Sequence, residues 1–115
     1  MTAPRAIADY LGDIRDAVAK AQQFVADMTF EQFAEDEKTA FAVVRCLEII
    51  GEAARKIPEP VRGQYPQVPW QEMMGMRNFL IHDYMGVNYR VVWNTIQNDL
   101  PPLKQQIEQI IAETH

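Results

Sequence analysis

Phe41-Ala42-Val43-Val44-Arg45-Cys46-Leu47-Glu48-Ile49-Ile50-Gly51-Glu52-Ala53-Ala54 is the stretch from which the fold class can be read. Phe41, Val44, Leu47 and Ile50, with Cys46 and Ala54, recur at three- and four-residue intervals. That spacing gathers apolar side chains on one face of an α-helix. Glu35-Asp36-Glu37 opens the helix, where negative charge suits the positive end of the helix dipole. Pro58-Glu59-Pro60 closes it after about Ile57. Gly51 lies in the interior, where glycine costs up to about 1 kcal/mol relative to alanine. Close approach of a second helix is the expected reason.

Upstream, Ile7, Leu11, Ile14, Val18, Ala21 and Val25 form a second such stripe. It predicts a helix over about Arg5–Asp27, with Pro4 in its first turn. Thr29-Phe30-Glu31-Gln32 has the form of a capping box and predicts a short turn of helix, Phe30–Ala34. Downstream, Val61–Pro69 holds Gly63, Pro66 and Pro69 and reads as a connector with at most one helical turn. A third long helix is predicted from Trp70, carrying Met73, Met74, Met76, Leu80 and Ile81 and ending between His82 and Gly86. Asn88 can cap a fourth, Tyr89–Asn98. Asp99 can cap a fifth, with Pro101 and Pro102 in its first turn and Leu103, Ile107, Ile110 and Ile111 as its stripe. The fourth and fifth could also be one kinked helix. No stretch sustains strand-like alternation, and no Asn-Gly or Asp-Gly hairpin is present. The expectation is an all-α, up-and-down antiparallel bundle of about five helices.

The chain of 115 residues is read as one domain, 1–115. At that size folding buries roughly 65% of the unfolded surface, enough for a core without staples. Cys46 is the single cysteine, so no internal disulfide can form and a reducing cytosol is expected. There is no apolar leader and no run long enough to span a membrane. The expected setting is therefore cytoplasmic, with no membrane partner. Net charge is −5, which argues against a general nucleic-acid coat. It leaves room for a small basic cleft that binds RNA weakly and with strong salt dependence.

Polar chemistry concentrates in Met76-Arg77-Asn78-Phe79-Leu80-Ile81-His82-Asp83-Tyr84. Each group has an ordinary reading. Arg77 could be a surface ion-pair arginine, His82 a helix-end histidine bonded to a carbonyl, and Tyr84 a half-buried aromatic. Together with Asn78 they form a polar cluster in an otherwise apolar stretch. On a straight helix Asn78 and His82 share a face, and Arg77 and His82 lie about 140° apart. Arg77 and His82 converge only if the helix frays at His82 or a second subunit supplies the facing wall. One cysteine and one internal histidine make a metal site unexpected, and no phosphate-cradling glycine loop or serine elbow is present. No cofactor is expected.

Arg77-x-x-x-x-His82-x-Tyr84 resembles the signature of HepT-type toxins of the HEPN superfamily. Leu47–Ala54, Pro69-Trp70 through Arg77, Val92-Trp93 and Asn98–Leu103 resemble the flanking segments in the same order. The likeness covers about residues 5–111. It implies a HEPN-like fold and a homodimeric, metal-independent endoribonuclease, the toxin of a type II toxin–antitoxin pair. It implies that Arg77 and His82 are catalytic and Asn78 supports them. Tyr84 would be the tyrosine to which a minimal nucleotidyltransferase antitoxin of the MntA type adds AMP. Glu52 falls where the family has a polar residue near the cleft, and is equally readable as half of a helix-face ion pair. Attack by the 2′-hydroxyl of RNA needs a base, an acid and a cation for the phosphorane charge. One chain offers one internal histidine, and a two-fold dimer would offer two. The competing expectation is a non-catalytic helical module that docks a nucleotidyltransferase, which the acidic balance favours. A plain structural dimer would make the grouping of Arg77, His82 and Tyr84 an accident.

Overall fold

The structure, a computed structural model, describes residues 5–76, 78, 81–82 (backbone only) and 86–114. Pro4, Arg77, Leu80, Tyr84 and His115 lie outside the described residues. Helix α1 is Ile7–Phe24, α2 Phe30–Ala34, α3 Glu37–Lys56, α4 Glu59–Gly63 and α5 Trp70–Met74. Strands β1 (Ile81–His82) and β2 (Gly86–Val87) follow, then α6, Tyr89–Asn94. A π-helical turn, Thr95–Asp99, joins α6 to α7, Leu100–Glu113. The fold class is all-α, as expected. Among the described residues no helix is long and apolar enough to cross a membrane.

The long helices form the core. α1 packs chiefly along α3, and α7 closes against α1. Leu11, Ile14, Val18, Ala21 and Val25 are buried, as their spacing predicts, and Ile7 is the exposed end of that stripe. α1 begins where the Ala6 amide donates to Asp9 Oδ2 at 3.1 Å. It stops at Phe24, short of the expected Asp27, which has φ 65° and so turns the chain left-handed. α3 starts at the Asp36 cap, which accepts from the Thr39 amide at 3.0 Å and from Thr39 Oγ1 at 2.7 Å. Its buried face is Ala40, Val43, Val44, Leu47, Ile50, Gly51 and Ala54, with Cys46 and Ala53 beside it. Phe41 does not belong to that face and is 56% exposed. Ala40, one residue earlier on the turn, takes the inward position instead.

Gly51 has the reason its position called for. A Cβ built there would stand 2.6 Å from the Met73 carbonyl oxygen, so α3 and α5 meet backbone to backbone. Trp70 and Met73 are buried in consequence, and the Trp70 indole donates to the Tyr65 carbonyl at 3.0 Å.

At the other end of the motif, the capping box forms: Thr29 Oγ1 accepts from the Gln32 amide at 3.1 Å, and Gln32 Oε1 from the Thr29 amide at 2.8 Å. That fixes α2 so that buried Phe33 meets Tyr89 and Trp93 at ring separations of 5.6 and 5.5 Å. Asn88 caps α6 by accepting from the Val91 amide at 3.2 Å. Asp99 makes no side-chain cap, and its backbone is helical, so the fourth and fifth helices are continuous. Pro101 and Pro102 lack the amides that Gln97 and Asn98 would receive in a regular helix. The π turn absorbs the mismatch, with the Leu100 amide reaching back to the Thr95 carbonyl. Thr95 Oγ1 donates to the Val91 carbonyl at 2.8 Å.

The two interior glycines of the long helices should respond oppositely to alanine. Gly51→Ala forces a backbone shift; overpacking of this kind costs about 1–3 kcal/mol, and helix propensity returns at most about 1 kcal/mol. At Gly12 the added Cβ would meet only Arg15 Nη2, at 3.6 Å. Gly12→Ala should therefore stabilise by roughly 0.5–1 kcal/mol. Chemical denaturation of both variants checks the opposite signs.

Candidate active site

The segment between α5 and α6 carries the motif, and both of its ends are fixed. On the entry side the Gly75 amide closes α5 on the Gln71 carbonyl at 3.0 Å, and the Asn78 amide donates to the Gly75 carbonyl at 3.0 Å. Met76 is 5% exposed, so its burial seats the chain immediately before Arg77. Asn78 is exposed and helical.

The exit side departs from the sequence expectation. Ile81 and His82 are extended rather than helical, paired antiparallel with Val87 and Gly86. The third helix thus ends before Ile81, and the anticipated stacking of Asn78 and His82 on one helical face does not occur. His82 is opposite Gly86, which brings no side chain to the pair. A Cβ at Gly86 would meet nothing within 4 Å among the described residues. Arg77 and Tyr84 lie outside the described residues, as does the imidazole of His82.

Glu52 is 59% exposed, and its Oε1 accepts from Arg45 Nη1 at 3.0 Å. The helix-face ion pair is therefore present. Arg45 also lies 3.9 Å from Glu48. Glu52 nonetheless borders a hollow of about 100 Å³ with Leu47, Glu48, Gly51, Arg55 and Met74. Met74 is three residues before Arg77, so Glu52 stands at the approach to the motif.

Two arginines escaped the sequence reading. Arg55 Nη2 donates to the Met74 carbonyl at 2.9 Å. Arg62 donates from Nε to the Ile57 carbonyl at 3.0 Å and from Nη1 to Met74 Sδ at 3.4 Å. Both guanidinium groups converge on Met74, the last residue of α5. The available signal was Arg55-Lys56 in the last turn of α3, where a cation suits the helix dipole.

The helical core, with the motif-bearing segment strung between α5 and α6, defines an all-α protein. Residues 14–110 match the Ribonuclease HepT-like family, and the chain belongs to that HEPN-type family. It is 47% identical over 102 residues to a Thermococcus cleftensis protein named probable ribonuclease HepT, covering 89% of this chain and 93% of that one. A Methanocaldococcus jannaschii protein named as a candidate RNase is 42% identical over 109 residues, 95% and 94% of the two chains. Another so named, from Caldanaerobacter subterraneus subsp. tengcongensis, is 46% identical over 89 residues, 77% and 80% of the two chains. No solved structure matches the chain.

An exposed ion pair contributes about 0.2–1 kcal/mol. Glu52→Gln should therefore barely move the thermal midpoint. A loss of stability well beyond that range would show that the carboxylate carries more of the fold than its bond to Arg45.

Proposed function

We propose that this protein is a metal-independent endoribonuclease, the toxin of a type II toxin–antitoxin pair, active as a homodimer. Its off-switch is AMP, added to Tyr84 by a partner nucleotidyltransferase of the MntA type. The observation that carries the reading is membership of the Ribonuclease HepT-like family across residues 14–110, a range that includes Arg77, His82 and Tyr84. Relatives named as ribonucleases match across nearly their whole length.

The chemistry follows from the residue types. The 2′-hydroxyl of RNA attacks the adjacent phosphorus. A P–O2′ bond forms, the P–O5′ bond breaks, and the products are a 2′,3′-cyclic phosphate end and a 5′-hydroxyl end. His82 of one copy takes the 2′ proton, and His82 of the second copy gives a proton to the leaving 5′ oxygen. Arg77, permanently charged, stabilises the doubly negative phosphorane and can do so bidentately. Asn78 adds a neutral donor beside it, and Glu52 borders the same approach.

Inhibition uses the same electrostatics. The Tyr84 hydroxyl attacks the α-phosphorus of a nucleoside triphosphate, losing its proton, and pyrophosphate leaves. The tyrosine then carries a phosphodiester anion and a base. The anion competes with RNA for Arg77, and the base fills space the substrate needs.

The second reading, a module that only docks the nucleotidyltransferase, draws on the net charge of −5. Cleavage separates the two. The purified protein should cut RNA in EDTA, and His82→Ala or Arg77→Ala should abolish cutting. Activity lost in EDTA and restored by a divalent cation would overturn the metal-free route; binding of the partner with no cleavage of any RNA tried would favour the docking module. The switch is read separately by intact-mass measurement after co-expression with the partner. Additions of one AMP or a multiple are expected on the parent protein and none on Tyr84→Phe.

A further inference from the structure

Beyond the motif itself, we infer that Arg55 and Arg62 form a phosphate-binding subsite that holds the RNA backbone next to the scissile position. The inference rests on the ribonuclease reading and adds to it a second anchoring point for the substrate.

Three observations carry it. First, both guanidinium groups are fixed in direction without being neutralised. Arg55 is held by the Met74 carbonyl, and Arg62 by the Ile57 carbonyl and the Met74 thioether. Neither is ion-paired with a carboxylate among the described residues. A guanidinium spends one edge on such a bond and keeps further N–H donors for an anion.

Second, the carboxylates of the hollow on the Arg55 side face Arg45. In the hollow beside Met74, Glu52 and Glu48 both lie within ion-pair range of Arg45, at 3.0 and 3.9 Å. Arg45 offsets one of these two charges, and Arg55 keeps its bond to the neutral Met74 carbonyl. On the other side of Met74, Glu59 and Glu72 line the depression that Arg62 borders, without pairing with it.

Third, the pair is tethered to the motif. Met74 precedes Arg77 by three residues. Covalent connectivity keeps the two Cα atoms within about 11 Å. Arg55 is exposed and Arg62 half-buried, so both can meet a ligand in solvent. Fixed, pre-oriented cations bonded to the residue three before Arg77 suit a substrate that carries one negative charge per nucleotide.

The test uses the full chain carrying His82→Ala, so that a fluorescent single-stranded RNA oligonucleotide is bound without being cut. Anisotropy titrations between about 50 and 200 mM salt give the slope of log affinity against log salt. Arg55→Gln and Arg62→Gln should each lower that slope by about 0.7, the value for one phosphate contact on a single strand. Arg55→Lys and Arg62→Lys should retain most of it, because the charge remains. In protein with His82 intact, the Gln variants should raise KM with kcat little changed, as expected for lost ground-state contacts. Arg15→Gln, on α1 in an ion pair with Asp16, is the control for general charge.

Unchanged slopes in both Gln variants would overturn the assignment while leaving the ribonuclease reading intact. Lost binding that lysine does not rescue, accompanied by a lower thermal midpoint, would assign the arginines a structural role and also overturn it. A parent protein that neither binds nor cuts RNA would bring down both readings together.

Discussion

The contact on which the rest depends is the one between Gly51 and the Met73 carbonyl. Main chain touches main chain there, at a separation that no side chain on α3 permits. The helix gives up some propensity at Gly51, and packing compensates by burying Met73 and Trp70. Everything on the entry side of the motif inherits its position from this approach. The Met74 carbonyl is brought within reach of Arg55, and Met76 is brought into the core one residue before Arg77.

The exit side is held by a different kind of interaction. Phe33 presses on Tyr89 and Trp93, and Phe30 meets Trp93 edge-on at 6.1 Å. These rings set the start of α6, and Asn88 caps it. Between the two anchors the chain makes a two-residue ladder. So short a pairing is marginal by itself. The backbone of His82 is therefore placed by the anchors on either side more than by its own hydrogen bonds.

Local chemistry was readable in the sequence, and long-range geometry was not. The α3 stripe, the Thr29 capping box and the Asn88 cap depend on residues within four positions of one another, and each formed. Gly51 could be flagged because glycine in a helix is costly, although only the structure identifies Met73 as what approaches it. The strand at His82 was missed because two paired residues are too few to show alternation, and Met76, Leu80 and Ile81 continue a helical spacing in the sequence. Phe41 was misplaced because Ala40, with its smaller apolar signal, takes the inward position. The π turn was half legible: Pro101 and Pro102 demanded a break in hydrogen bonding, and a chain can meet that demand with a cap or with a wider turn. Here Thr95 and Leu100 supply the wider turn. Arg55 and Arg62 could not be found by pattern, since Arg55 reaches a carbonyl 19 residues away.

Net charge alone misleads about what an acidic chain can bind. Of the described arginines, Arg5, Arg15 and Arg45 are ion-paired and contribute little outward field. Arg90 is spread over the face of Phe30, 3.5 Å from the ring centroid. The guanidinium groups of Arg55 and Arg62 are bonded to neutral acceptors without an ion pair among the described residues, and both acceptor sets include Met74. A field at a given point depends on nearby uncompensated charge, and screening limits distant charges to about 10 Å at ordinary salt. An overall charge of −5 sets how strongly the protein repels RNA at a distance. The distribution of paired and unpaired arginines sets where that repulsion gives way.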